Sequence, residues 1–250
     1  MKIRHSLLFL LVAILLTTCQ KSTEPEPATV NLTLHFSHLV DGQPLQLDQL
    51  IYKNALGQEY SIKTVKYFVS RFQLHKADNT VLELPGIHYV DIRLPETLSY
   101  TFTQKIPQGD YTGISFVHGL VPEDNISGRF SEPPESLMEW PEPMGGGYHY
   151  MKLEGEYRTP SEENFFNFHA GMLDGKAYEI HINLTDQPFT VANDQLDIEL
   201  EMEIQQWFTD PVDWDFTYFG PAIMGNHEAQ ATIQQNGQNV YSFAVTEQTP

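Results

Sequence analysis

Cysteine and basic residues are both scarce in this sequence. The 250 residues contain one cysteine, Cys19, so a disulfide framework is excluded and stability must come from an ordinary hydrophobic core. The sequence contains only 14 Lys and Arg residues but 33 Asp and Glu residues, which gives a formal net charge of −19. A field of this sign repels nucleic acid and anionic lipid headgroups, because both are bound through basic patches. We therefore expect no nucleic-acid partner, whereas cations or a basic protein suit this charge.

Long hydrophobic runs are absent except near the N-terminus, where residues 7–16 read LLFLLVAILL. This run is too short to cross a bilayer as a helix, because about 20 residues are needed. Lys2 and Arg4 precede the run and small residues follow it, which is the pattern of a secretory signal. We expect residues 1–18 to be a signal peptide and the protein to be exported. Loss of Lys2 and Arg4 with that peptide takes the net charge from −19 to −21.

The single cysteine stands directly after the signal, in the sequence Leu16-Thr17-Thr18-Cys19. This stretch resembles a bacterial lipobox, with threonine where Gly, Ala or Ser is preferred. The alternative is an ordinary cleavage site beside a free thiol, although an unpaired thiol is a liability in an exported protein. We expect Cys19 to be lipidated and residues 19–29, which are polar and contain proline, to be a tether. The lipid would hold the protein on the outer membrane, on its periplasmic or its cell-surface side.

Helical periodicity is nearly absent, and alternation of apolar and polar residues takes its place. Segments such as VNLTLHFSHL, YTGISFVHGL and AYEIHINL alternate, and turn residues separate them. About ten such strands predict an all-β fold for residues 30–250, as a single domain. We expect an antiparallel β-sandwich, immunoglobulin-like or jelly-roll-like, with long loops and at most one or two short helices. The stretch PAIMGNHEAQATIQQNG predicts a helix of two or three turns.

The histidines can be sorted by strand face, because side chains two residues apart in a strand share a face. Three lie on polar faces and are expected at the surface: His35, His75 and His181. Four lie on apolar faces and are expected inside: His38, His88, His118 and His149. A buried imidazole is costly unless its nitrogens are hydrogen-bonded or bind a metal. His169 ends the aromatic strand FFNFHAG beside a loop, which is where β folds place sites.

One loop concentrates soft side chains around a triple glycine. Residues 138–157 read MEWPEPMGGGYHYMKLEGEY, so Met138, Trp140 and Met144 lead into the strand that carries His149. Thioether and imidazole ligands together suit copper in either oxidation state. We expect some of the inward-facing histidines to converge on a metal ion near this loop. The alternative is that the tryptophan and the methionines plug the end of the sandwich.

Several stretches resemble, in order, the MbnP-like copper-binding lipoprotein family: LHFSHLVDGQPL, MEWPEPMGGGYHYMKLEG, FNFHAG and IMGNHEAQATIQQNGQNVYSF. The resemblance runs from Val30 to Phe243, and the segment from Met138 to Gly155 is its most specific part. It implies a β-sandwich, export and copper binding. It also implies a partner, a di-haem enzyme of the cytochrome c peroxidase kind, that oxidises a tryptophan to kynurenine. In the family the modified residue then binds copper with histidines.

On this resemblance, Trp140 is the candidate for oxidation, and His149 and His169 are the best candidates for copper ligands. The strand faces add His118 and His88 as further candidate ligands, and the loop adds Met138 and Met144 as candidate soft ligands. Copper is then the expected cofactor, with no organic cofactor. The expected partners are the copper ion, the lipid bilayer through Cys19, and the di-haem enzyme.

A second interpretation is a cell-surface lipoprotein that binds a glycan or a partner protein through exposed aromatic residues. The segment QQWFTDPVDWDFTYFG motivates it, with four candidate aromatic residues: Trp207, Trp214, Tyr218 and Phe219. The same segment could instead cap the core. We expect no enzyme, because the sequence shows no Ser-His-Asp pattern, no phosphate loop and no HExxH motif.

Overall fold

The computed structural model describes residues 28–246. The predicted signal peptide, Cys19 and the tether up to residue 27 lie outside the described residues. Across the described range, none of the helices has the length and apolar character needed to span a bilayer.

Residues 28–246 form fifteen strands and two α-helices, joined by loops that contain short 3-10 turns. The strands, β1 to β15 in chain order, are Thr29–Val40, Gln43–Pro44, Tyr52–Lys53, Glu59–Tyr60, Thr64–Lys76, Val81–Asp91, Ser99–Thr101, Ile106–Pro107, Gly109–His118, Met151–Arg158, Glu163–Ala170, Ile180–Leu184, Phe189–Val191, Gln195–Glu203 and Tyr241–Thr246. The helices are α1, Phe216–Phe219, and α2, His227–Asn236. The 3-10 turns are Pro95–Thr97, Glu135–Met138, Glu142–Met144, Ile204–Phe208 and Gly237–Asn239.

The strands form two sheets, which confirms the predicted all-β sandwich. The smaller sheet has the order β15-β14-β1-β2, with β7 and β8 also paired to β1. The larger sheet has the order β12-β9-β5-β10-β4-β3, with β11 on β10, β13 on β9 and β6 on β5. One pairing departs from the antiparallel expectation, because β1 and β14 run parallel. Parallel neighbours need a long crossover, and the whole of the larger sheet lies between these two strands in sequence.

Alternation along the strands builds the core between the sheets. Leu32 and Leu34 of β1 are 0% and 1% exposed, Met151 and Leu153 of β10 are both 0% exposed, and all four belong to one continuous hydrophobic cluster. Complete burial of each such side chain stabilises the fold by about 2 kcal/mol. Residues of opposite parity in β10 point to the other face of the larger sheet, and it is on that face that the candidate site lies.

Helix α2 confirms the predicted short helix near the C-terminus. It begins after Asn226, whose side-chain oxygen accepts hydrogen bonds from the backbone N–H groups of Glu228 and Ala229. This cap satisfies donors that the first turn leaves without partners. The helix buries Gln230 completely, and that glutamine reaches the candidate site.

The expectation of exposed tryptophans in the segment at residues 205–220 is wrong. Trp207 and Trp214 are 0% and 2% exposed, and Trp214 stacks on Phe219 with ring centres 3.9 Å apart. Both tryptophans also pack against Phe168 of β11. The apolar area of these rings is better buried on the core than exposed to water, so the segment caps the sandwich. Tyr218 alone of the four candidates is an exposed large aromatic, at 66%.

Two histidines lie deep in the core, as their strand faces predict. His38 is 6% exposed and lies 3.2 Å from the Tyr67 hydroxyl through Nε2. His118 is 1% exposed, and its Nδ1 lies 2.8 Å from the Tyr241 hydroxyl. Desolvation lowers the pKa of His38 to about 4 and that of His118 to about 3. Both imidazoles are therefore neutral at physiological pH.

We predict that the stability of the protein decreases as the pH falls below 7. In the unfolded chain these histidines take up protons near pH 6.5, whereas in the folded chain they stay neutral down to about pH 4 and about pH 3. The unfolded state thus binds more protons, and each histidine lowers the free energy of unfolding by about 2 kcal/mol between pH 7 and pH 5. Urea titrations at the two pH values measure the loss.

The His118→Asn variant should lose about 2 kcal/mol less than the wild type over the same pH interval. His181→Asn is the matched control, because the His181 side chain is 70% exposed. An unchanged pH dependence in His118→Asn would contradict the assignment of this proton uptake to the buried imidazole.

Candidate functional site

The register of β10 against β11 places His169 on the outer face of the larger sheet. Lys152 pairs with His169, and Leu153 pairs with Phe168. Because Leu153 and Phe168 are buried in the core, their neighbours point away from it. His169 therefore lies beside Glu154, and its Nε2 is 2.8 Å from Glu154 Oε1. The His169 side chain is 14% exposed, because a loop covers this face.

His149 meets His169 on that outer face, with ring centres 5.0 Å apart and an interplanar angle of 87°. His149 is 5% exposed, so its predicted burial is confirmed, but its predicted face is wrong. Strand alternation predicted that His149 points into the core together with Met151 and Leu153. Strand β10 begins only at Met151, so the alternation does not extend back to His149.

Hydrogen bonds define which nitrogen of each imidazole remains free. His149 Nδ1 lies 3.0 Å from the carbonyl oxygen of Met138, which can only accept, so Nδ1 carries the proton. His169 Nε2 likewise donates to the Glu154 carboxylate. The other nitrogens, His149 Nε2 and His169 Nδ1, are buried and have no hydrogen-bond partner within residues 28–246. These two ring nitrogens therefore remain available as ligands.

The pKa values of His149 and Glu154 favour these hydrogen bonds at neutral pH. Desolvation, with a further contribution from Lys152, lowers the pKa of His149 to about 3, so this imidazole is neutral. The hydrogen bond from His169 lowers the pKa of Glu154 to about 2, despite partial burial. The carboxylate is therefore ionised and remains an acceptor for the imidazole N–H. A carboxylate that holds one ring nitrogen of a histidine orients the other toward a metal.

Trp140 packs beside His149 and forms a further side of the site. Its ring centre lies 4.7 Å from that of His149 at an interplanar angle of 74°, and the residue is 2% exposed. Its Nε1 is buried and has no hydrogen-bond partner in the described chain. The indole also packs against the backbone of Gly171, where a Cβ atom would lie 2.6 Å from the indole ring. A larger residue at position 171 would therefore displace the indole.

A hairpin-like loop holds Trp140 over the two histidines. The backbone N–H of Trp140 donates to the Gly147 carbonyl at 2.9 Å, and that of His149 donates to the Met138 carbonyl at 2.6 Å. Lys152 Nζ reaches up from β10 to the Leu137 carbonyl at 2.8 Å. The glycines that close the loop all have positive φ, with Gly147 at 80°. Such backbone conformations favour glycine, which explains the triple glycine of the sequence.

Gln230 of helix α2 supports the site from the opposite side. Its side-chain nitrogen donates to the His169 carbonyl at 2.7 Å, and its side-chain oxygen accepts from the Gly171 N–H at 3.1 Å. This completely buried amide ties the end of β11 to the helix. Because both of its groups are used, a shorter or apolar residue would leave buried backbone groups unpaired.

The other two histidine candidates lie apart from this site. His118 is in the core, with its ring 5.2 Å from Tyr67 and 5.2 Å from Trp207. His88 is stacked between Phe36 and Tyr100, and its Nε2 lies 2.7 Å from the Thr97 carbonyl oxygen. Both residues lie on core-facing positions of their strands, as expected, but on the opposite face of the sheet from His149 and His169. The structure therefore brings together two of the four candidate histidines.

The two methionines and Cys19 also differ in their relation to the site. Met138 supplies its carbonyl oxygen to His149, and its side chain is buried in the hydrophobic core cluster. Met144 is partly exposed, and its carbonyl accepts from the Asp174 N–H at 3.2 Å. Cys19 lies outside the described residues.

Sequence reasoning missed Glu154, Lys152 and Gln230. Glu154 and Lys152 belong to an alternating strand, where a charged residue usually means only a solvated face. Their roles follow from the strand register that places them beside His169, which local sequence patterns do not specify. Gln230 had a weak signal, as a polar residue between the buried Ala229 and Ile233 of the helix.

Within residues 28–246, no group of three or more His, Cys, Asp or Glu side chains is placed to hold a metal ion. The site instead offers two imidazoles and an indole, enclosed by a loop and held in place by neighbouring hydrogen bonds. The fold and the site together define a β-sandwich protein with a buried histidine–tryptophan cluster beneath a glycine-rich loop.

Comparisons with known proteins agree with this class. The family model MbnP matches residues 29–225, and the chain belongs to this family, as its sequence predicted. A solved structure, MbnP from Methylosinus trichosporium, has a similar fold, with a TM-score of 0.52 over 88% of this chain and 100% of that chain. The two sequences are 13% identical, so this likeness concerns the fold alone. No curated protein matches the sequence.

We predict that Gly147→Ala destabilises the protein more than Gly175→Ala does. Both glycines have φ near 80°, at 80° and 79°, so both variants carry the left-handed backbone cost of about 1–2 kcal/mol. At Gly147 the new methyl group would also collide with the Asn125 side chain, whereas at Gly175 no atom lies within 4 Å. Overpacking adds a further cost of about 1–3 kcal/mol. Urea denaturation of the two variants measures the difference, and equal losses would contradict the close packing of the loop.

Proposed function

We propose that this protein is an exported, lipid-anchored copper-binding protein that holds or delivers the ion through His149 and His169. One observation carries the proposal: the two imidazoles lie 5.0 Å apart, and each has one buried nitrogen without a partner. At this separation both nitrogens can reach one ion at bond lengths of about 2 Å. A buried, unpaired imidazole nitrogen is costly, and a metal ion would offset that cost.

The chemistry of the donors favours copper over the commoner alternatives. Structural zinc is almost always bound by four ligands, and calcium by six to eight oxygen atoms. Here Glu154, the carboxylate beside the imidazoles, already accepts a hydrogen bond from His169. Two imidazoles without a thiolate or a free carboxylate suit copper, which takes nitrogen and soft ligands. Copper when bound would be held by the two imidazoles, with a further donor from the position of Trp140.

The surroundings suit storage or delivery of a cation. The net charge of −19 attracts cations to the protein. The loop that covers the imidazoles is attached through backbone hydrogen bonds and Lys152, and it carries Leu137, which is 64% exposed. Opening of this loop would expose the two nitrogens without disturbing either sheet. The N-terminal apolar run and Cys19 support export and anchoring to the outer membrane.

Oxidation of Trp140 to kynurenine is the second part of the proposal. The reaction cleaves the C2–C3 bond of the indole with uptake of two oxygen atoms, and hydrolysis then releases C2 as formate. The net loss of one carbon and gain of one oxygen leave an aromatic amine and a ketone where the indole stood. Both groups would lie close to His149, whose ring centre is 4.7 Å from the indole. The modified side chain could then supply the donor that the two imidazoles lack. The di-haem enzyme expected from the family resemblance would supply the oxidising equivalents.

We predict that the purified mature protein retains copper after loading with Cu(I) or Cu(II) and dialysis. The His149→Ala, His169→Ala double variant should lose this retention, because both free nitrogens are gone. Metal content by mass spectrometry of the dialysed protein gives the result. Glu154→Gln, which keeps both imidazoles, should weaken binding by about tenfold because the orienting carboxylate is lost.

The matched control is a His75→Ala, His181→Ala double variant, which removes two imidazoles that do not belong to the site. His75 bonds to Ser115, and His181 is exposed. Retention in this control should equal that of the wild type. Retention that is unchanged in the His149→Ala, His169→Ala variant would refute the assigned site.

We predict that protein isolated from its native host carries a mass change at Trp140 and at neither of the other tryptophans. Peptide mass spectrometry should show the loss of one carbon and the gain of one oxygen in the peptide containing Trp140. Trp207 and Trp214 are internal controls, since they are as buried as Trp140, at 0% and 2% exposed. An unmodified Trp140 in copper-loaded native protein would overturn this part of the proposal and leave the imidazoles to bind alone.

A further inference from the structure

A cavity lies where strands β5 and β6 separate. It has a volume of about 760 Å³, within the range of about 300–1,000 Å³ that is usual for small-molecule sites. Its walls combine Arg71, Glu83, Pro85, Asp124, Arg129 and Phe130. None of the residues of the histidine–tryptophan site lines it. The cavity is therefore a separate feature of the described part of the fold.

The cavity lies where the pairing between β5 and β6 is irregular. Ser70 pairs with Ile87, but Phe72 pairs with Leu84, so one residue of β5 opposes two residues of β6. The unpaired residue of β5 is Arg71, which has a φ of 53°. A positive φ is strained for any residue other than glycine, and such strain clusters at functional sites. Bulges of this kind redirect a side chain, here the guanidinium group of Arg71.

A shared carboxylate holds two arginines in the wall of the cavity. Arg71 Nε donates to Asp124 Oδ2 at 2.7 Å, and Arg129 lies 3.5 Å from Asp124 Oδ1. The Asp124 side chain is 15% exposed, whereas the arginine side chains are 52% and 38% exposed. Arg71, Arg129 and Asp124 together carry a net charge of +1, and Glu83 brings the charged residues that line the cavity to a sum of zero. Each guanidinium also keeps donors that can bind a carboxylate in a bidentate manner.

The remaining walls restrict the ligand further. Phe130, which stacks on Phe68 with ring centres 5.2 Å apart, and the buried Phe72 and Leu84 give the cavity an apolar side. Glu83 is exposed in the wall on β6, and its charge opposes a ligand with two or more negative charges. An apolar side favours a ligand with an apolar body over an inorganic anion.

We propose that this cavity binds a small organic monocarboxylate with an apolar body. The carboxylate contacts Arg71 and Arg129, and the apolar body lies against Phe130 and the base of the bulge. The loop that carries Asp124 and Arg129 is anchored independently of any ligand: the Asn125 side chain accepts from the Tyr148 N–H at 2.8 Å, and the Phe130 N–H donates to the Tyr148 hydroxyl at 2.8 Å. The site is thus built before a ligand arrives.

Calorimetric titration of the purified mature protein with 3-phenylpropanoate tests the proposal. We expect a dissociation constant of about 1 mM or lower. Binding of the neutral 3-phenylpropanamide should be at least about tenfold weaker, because the charge-assisted hydrogen bonds are lost. Inorganic phosphate should also bind more weakly, because it lacks an apolar body. No binding of the carboxylate, or equal binding of the amide or of phosphate, overturns the proposal.

Variants locate the binding. Arg129→Gln and Arg71→Gln should each weaken 3-phenylpropanoate binding by about tenfold. Arg158→Gln is the matched control, because Arg158 is a half-exposed arginine bonded to Glu163 at 2.7 Å on another part of the sheet. Arg129 lies in a loop outside the strands, so its variant remains informative if Arg71→Gln does not fold. Unchanged binding in Arg129→Gln places the carboxylate elsewhere and rejects the site.

Two further measurements separate this proposal from its alternatives. Glu83→Gln should strengthen binding of the dicarboxylate phenylsuccinate relative to the wild type, since the opposing charge is removed. The His149→Ala, His169→Ala variant should bind 3-phenylpropanoate as the wild type does. Binding of the carboxylate is therefore tested independently of copper binding. The assigned binding site is rejected if Glu83→Gln leaves the affinity for phenylsuccinate unchanged. It is also rejected if the histidine variant loses binding of 3-phenylpropanoate.

Discussion

The register between β10 and β11 is the constraint on which the candidate site depends. It sets Leu153 against Phe168 in the core and, one residue away, Lys152 against His169 on the outer face. Side chains alternate along a strand, so a slip of one residue would turn His169 into the core and expose Phe168. Burial of the core residues thus holds the imidazole in place at no separate cost. The hydrophobic core and the site are consequences of the same pairing.

The site itself is organised by hydrogen bonds to atoms that are not ligands. Glu154 and the Met138 carbonyl each take one N–H of an imidazole and so direct the other nitrogen inward. Lys152 and Gln230 attach the covering loop and the end of β11 to the body of the protein. The same low-dielectric environment that keeps His149 neutral would strengthen the attraction of a bound cation for its ligands. A soft cation fits this arrangement because it needs few ligands and no carboxylate.

The loop at residues 119–134 connects the two candidate sites physically. Asn125 and Phe130 contact Tyr148, the residue before His149, and Asp124 and Arg129 belong to the wall of the cavity beside β5 and β6. Ser127 bridges the Glu142 carboxylate and the Gly147 N–H, so the loop also supports the turn above Trp140. The irregular strands that open the cavity and the loop that covers the histidines therefore share one scaffold. Each feature nevertheless has its own charged groups and its own chemistry.

The sequence by itself determined the all-β class, the short C-terminal helix and the family, because these follow from local periodicity and shared motifs. The family resemblance also identified His149, His169 and Trp140 as candidate residues of one site. Only the tertiary structure decided that His118 and His88 lie on the opposite face of the sheet from His149 and His169, that Trp207 and Trp214 are buried, and that Glu154 and Gln230 support the site. These outcomes depend on strand register, on where a strand begins and on how a loop folds over the core. Such features result from contacts between residues far apart in the chain, which local patterns do not encode.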